Sequence, residues 1–127
     1  METKYYKFLS NFIVKSKRER LIYELQSEKK RENAFSKMNN FLDCFHSKDI
    51  IVDLTRFQDD IAIKRIEEVV SDKECFDVAN RERNLLKSAY LKAVNSYMCN
   101  VLVVDEHTII YIGESEIGAS EKYILRK

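Results

Sequence analysis

Two apolar runs, 100–104 and 108–112, separated only by Asp105, Glu106 and His107, constrain this chain more than any other feature. β-Branched and aromatic residues suit a pleated, packed surface, and a short polar link reverses the chain, so the pair predicts a β-hairpin. Neither run alternates apolar with polar. Such strands need cover, complete on one face of the sheet and partial on the other, and helices must supply it. The last residues offer a further strand over Lys122–Arg126, with Tyr123 and Leu125 on one side, after a polar stretch holding Gly113, Gly118, Ala119 and Ser120.

The helical cover is legible upstream as three-and-four spacing. Tyr5, Phe8, Leu9, Phe12 and Ile13 predict a helix over 3–14. Ser16 with Glu19 forms a capping-box pattern, starting a short second helix with Leu21, Ile22 and Leu25 inward. Ser27 reads as the N-cap of a third helix striped by Phe35, Met38, Phe41, Leu42 and Phe45, in which Asn39 and Asn40 lower the propensity slightly. His46, Ser47 and Lys48 read as a loop, and 49–54 as a loop or a short strand. A fourth helix over 58–70 carries Ile61, Ile66, Val69 and Val70, with Asp59 and Asp60 placed in its first turn, where acids suit the helix dipole. Residues 75–78 read as an edge strand. Asn80 then caps a fifth helix presenting Leu85, Leu86, Ala89, Ala93, Val94 and Tyr97. The expected fold class is α+β: a helix-rich amino-terminal half, then a helix and a small, mainly antiparallel sheet built on the carboxy-terminal hairpin.

With 127 residues, 45% apolar and 34% charged, the chain has material for one core, so a single domain over 1–127 is expected. No repeat, low-complexity tract or Pro, Gly or Ser-rich linker divides it. Cys44, Cys75 and Cys99 are odd in number and lack Cys-x-x-Cys spacing, which argues against a disulfide framework and for a reducing, cytoplasmic setting. The start shows no apolar leader, and no apolar run reaches the roughly 18 residues of a membrane span, so no membrane partner is expected. Abundant Lys, Ile, Asn, Tyr and Phe suit a low-GC bacterial or phage genome.

Chemistry is harder to find. A phosphate cradle brings its backbone close through several glycines, and the only two here lie within 113–118 with no evident helix following, so a Walker or Rossmann nucleotide site is not expected. Cys44 with His46 is the one metal-like pair, but its remaining ligands would have to come from Cys75, Cys99 or His107. The simpler reading buries Cys44 at a helix end and leaves His46 solvated. The same cysteines paired with a histidine could make a nucleophile, yet their apolar flanks mark Cys75 and Cys99 as small core residues. Asp53, Asp59, Asp60, Glu67, Glu68, Asp105 and Glu106 supply carboxylates without a nuclease pattern: Glu121 and Lys122 adjoin, where a Glu-x-Lys element needs a residue between them. No catalytic residue, cofactor or metal is expected.

What remains is charge. Residues 1–48 hold eleven Lys or Arg against six Asp or Glu, and residues 49–77 hold four against nine, within a net charge of +1. Lys17, Arg18 and Arg20, and then Lys29, Lys30 and Arg31, lie near two helix starts and suit phosphates if they converge, with Tyr6 and Tyr23 free to stack on bases. Glu19, Glu24, Glu28 and Glu32 interrupt them, as in a solvated, ion-paired helix face. The acidic stretch with Asp59 and Asp60 suits a basic protein partner. The expected function is therefore a non-catalytic protein-binding domain of immunity or accessory type, and the alternative is a nucleic-acid binder using the basic amino-terminal helices.

Overall fold

The computed structural model describes residues 2–114 and 120–127. Among them are six α-helices and one six-stranded sheet, an α+β fold as expected. The helices are α1 (Glu2–Ser10), α2 (Lys15–Gln26), α3 (Arg31–Met38), α4 (Phe41–Cys44), α5 (Asp59–Val69) and α6 (Leu86–Asn95). The strands are β1 (Ile50–Asp53), β2 (Glu74–Asp77), β3 (Glu82–Leu85), β4 (Asn100–Asp105), β5 (Thr108–Ile112) and β6 (Lys122–Arg126). They pair antiparallel throughout, in the order β1-β6-β5-β4-β2-β3.

The hairpin β4–β5 lies in the middle of this sheet, which explains its composition. Val101, Val103, Ile109 and Tyr111 point to one face and pack with α1–α4, while Leu102, Val104, Ile110 and Ile112 point to the other and pack with α5 and α6. Both faces are covered, rather than one fully and one in part. A strand buried on both sides has no polar face, so it reads as a continuous apolar run. β6 divides in the same way, Leu125 toward the first layer and Ile124 toward the second. The polar stretch at Gly118 and Ala119 lies outside the described residues.

Several helix boundaries move for tertiary reasons. α1 stops at Ser10, whose hydroxyl donates to the Lys7 carbonyl at 2.6 Å, and Phe12 and Ile13 are buried in the turn that follows. Ile13 pairs with Phe45 as an isolated bridge, and the Val14 amide donates to the Cys44 carbonyl at 2.8 Å. That pairing sets the entry of α2 at Val14, so the Ser16 capping box is not used, and α2, at 12 residues, is the longest described helix rather than a short one. Ser27 ends α2 instead of starting α3. The long third helix breaks at Asn39 and Asn40: Asn39 accepts from the Glu114 amide at 2.6 Å through its side chain, and Leu42 is left 70% exposed.

Residues 49–54 resolve into strand β1, held to β6 with a bulge between Ile50 and Val52. β2 is interior, bonded to β3 on one side and β4 on the other, not an edge. β3 is the larger correction, since 82–85 had been assigned to a helix starting at Asn80. Arg81 adopts φ 54°, a left-handed turn that folds the chain back on β2, and α6 begins only at Leu86. At its far end Tyr97, with φ 62°, lies beyond α6 and is 66% exposed.

Candidate binding surface

The basic residues of the amino-terminal helices do not form one open set. Arg18 donates through Nη2 to the Ile13 carbonyl at 3.2 Å, and Arg31 through Nε to the Leu25 carbonyl at 3.1 Å, so both guanidinium groups fasten chain reversals within their own layer. Arg20 lies 3.5 Å from Glu24, which is buried and also accepts from Lys37 at 2.7 Å. The hydrogen bond from Lys37, more than the surrounding positive charge, holds the Glu24 carboxyl below its ordinary value, against the opposing effect of burial. Lys30 sits over the Tyr23 ring at 5.2 Å. Lys17, half-buried, and Lys29, exposed, have no ion-pair partner among the described residues. Tyr6, read from the sequence as free to stack on a base, is buried edge-on against Phe76.

The residues considered for catalysis are dispersed. All three thiols are buried, and burial raises each of them, Cys75 and Cys99 to about 12. A thiol held that high is protonated at neutral pH and is a poor nucleophile. The Cys44 thiol donates to the Lys37 carbonyl at 3.3 Å. His46 is half-buried rather than solvated, ahead of a single 3-10 turn over Ser47–Asp49. His107 is exposed in the hairpin turn, 3.4 Å from Glu106. Among the described residues no group of three or more His, Cys, Asp or Glu side chains is placed to hold a metal, and no helix is long and apolar enough to cross a membrane.

The carboxylates of 49–77 separate into two sets. Asp77 is fully buried at the end of β2, where its oxygens accept from the Asn100 side chain at 2.8 Å, the Asn80 amide at 3.0 Å and the Asn80 side chain at 2.7 Å. Asp49 is buried too, Glu68 pairs with Arg65 at 3.0 Å, and Glu74 lies 3.8 Å from Arg83. Asp53, Asp59, Asp60, Glu67 and Asp72 stay exposed. Asp59 and Asp60 occupy the first turn of α5 as expected, on the opposite face of the sheet from Lys17, Arg18, Arg20, Lys29, Lys30 and Arg31.

Beside these two acids the structure leaves an apolar pair in solvent. The Asp53 side chain accepts from the Thr55 amide at 2.9 Å and the Phe57 amide donates to the Leu54 carbonyl at 3.1 Å, a turn that brings Phe57 out at 38% exposure just before α5. Ile61, assigned to the inner stripe from its spacing, is 50% exposed; the inner face of α5 is Ala62, Ile63 and Ile66, continued by Val70. The buried set keeps the three-and-four spacing, 62 to 66, 63 to 66 and 66 to 70, whereas Ile61 lies five residues before Ile66 and falls off that face. No family model, curated protein or solved structure matches this chain.

Proposed function

We propose that this chain is a non-catalytic protein-binding domain, of immunity or accessory type, that docks a basic partner on the acidic surface around the start of α5. The observation that carries the reading is the pair Phe57 and Ile61, both exposed beside the first-turn acids Asp59 and Asp60, with Asp53, Arg56, Lys64 and Arg65 also exposed around them. Protein interfaces set apolar contacts inside a charged, wet rim, and the paired acids at the start of α5 favour a basic group opposite them. The buried, protonated thiols suit a binding module in a reducing compartment. The alternative, nucleic-acid binding through α2 and α3, has less support, because Arg18 and Arg31 are each half-buried and donate to a backbone carbonyl of their own layer.

A photo-crosslinking residue placed at position 61 tests the reading in the native host, with position 33 in α3 as an exposed control. One basic protein captured at 61 and not at 33, and lost with Asp59→Lys and Asp60→Lys together, is the expected outcome. Equal capture at both positions overturns it. So does salt-sensitive DNA or RNA binding that disappears with Lys29→Glu and Lys30→Glu, the mark of a phosphate-gripping surface.

A further inference from the structure

Away from the Phe57 and Ile61 surface, α5 and α6 part to leave a cleft of about 360 Å³ above the sheet. Its floor is apolar: Ile63, Ile66 and Val70 from α5 and Leu86 from α6, all buried side chains whose outer atoms line the opening. Leu85 forms a wall and is 55% exposed. Ligand pockets begin at roughly 300 Å³ and are mostly apolar, with a few polar groups at one end fixing orientation.

This cleft has such an end. The 70–74 crossing and the start of α6 meet there, bound by the Leu86 amide donating to the Lys73 carbonyl at 2.7 Å. The N-cap of α6 is Leu85, whose side chain has no atom to accept from the first-turn amides, and the first turn carries no acid. The Leu86 amide is taken by the Lys73 carbonyl and the Leu85 amide by Asn84 Oδ1 at 2.8 Å, which leaves the amides of Lys87 and Ser88 without an acceptor within the helix, at the positive end of its dipole. Lys73, whose carbonyl meets the start of α6, and Lys87, in its first turn, also line the cleft. Glu67, from α5, and Asp72 also line it and weigh against a multiply charged ligand.

We infer that the cleft between α5 and the start of α6 binds a small amphipathic monoanion, a medium-chain carboxylate whose tail covers Ile63, Ile66, Val70 and Leu85 and whose head meets Lys73, Lys87 and the first turn of α6. This site is separate from the proposed partner surface at the other end of α5, and either can fail without the other.

Amide and methyl NMR of the full chain, titrated with octanoate, octylamine and acetate, tests it. Octanoate should give saturable shifts at the amides of Lys73, Lys87 and Ser88 and at the methyls of Ile66 and Val70, with acetate and octylamine much weaker. Lys73→Glu with Lys87→Glu, both at exposed positions, should weaken octanoate about tenfold, equivalent to ~1.4 kcal/mol. Leu85→Ala, also exposed, should weaken it by shortening the apolar wall. Shifts that do not saturate overturn the inference, as do equal affinity for octylamine and octanoate or an unchanged affinity in the double charge variant.

Discussion

Tyr90 and Tyr111 are both fully buried, yet their hydroxyls sit in opposite circumstances. The Tyr111 hydroxyl donates to the carbonyl of Met38 at 2.8 Å, with the Asn39 carbonyl 3.1 Å away, which ties the break between α3 and α4 to the central strand β5. The Tyr90 hydroxyl has no hydrogen-bond partner among the described residues. Burial raises the pKa of both phenols far above the ordinary value, so neither ionises in the folded protein at ordinary pH. Removing a satisfied buried group costs about 1–3 kcal/mol, and removing an unsatisfied one costs little or stabilises. Urea unfolding should therefore show Tyr111→Phe losing ~1–2 kcal/mol and Tyr90→Phe unchanged or slightly more stable. The sequence places Tyr111 in an apolar run and leaves Tyr90 out of the fifth helix's stripe, and it does not show which hydroxyl is satisfied, because a hydroxyl's partner comes from a segment far along the chain.

At the scale of elements, the β2–β3 hairpin depends on a polar knot. Asp77 takes three hydrogen bonds from Asn80 and Asn100, and the Asn100 side chain accepts from the Ala79 amide at 2.9 Å, so the turn after β2 is held to the start of β4. Asp77→Ala leaves the buried Asn100 side chain without that acceptor, while Asn80 is exposed and can turn to water, and should cost about 1–3 kcal/mol. Thermal unfolding measures the loss, and an unchanged midpoint would mean that the turn holds without the carboxylate. This hairpin is also where sequence patterning fails most. Glu82, Arg83, Asn84 and Leu85 show no alternation, because β3 is a short edge strand whose side chains are largely exposed, and charge on an edge discourages pairing with other chains. By contrast β5 and β6 are legible to within a residue, and β4 nearly so, because strands packed from both sides must be apolar along their length.

For the molecule as a whole, one sheet lies between two helical layers, with α1–α4 on one side and α5 and α6 on the other. Local opening costs most where both faces are covered and both neighbours paired. Amide hydrogen exchange should accordingly be slowest in β4 and β5 and fastest among the strands in β1 and β3, the two edges; comparable protection in β3 and β5 would contradict that layering. Charge is divided between the layers as well. The basic excess of 1–48 belongs to the first, where much of it is used in fastening, and the acidic excess of 49–77 reaches the surface mainly around α5 in the second. By itself the sequence determined the α+β class, the central hairpin, the final strand and the helical cover, since these follow from local periodicity and from the need to bury apolar runs. Only the tertiary structure decided that both faces of the sheet are covered, that 82–85 is a strand, that Arg18 and Arg31 turn inward, and that Phe57 and Leu85 stay in solvent. Each of those outcomes depends on which distant segment a residue meets, and spacing along the chain carries no record of that.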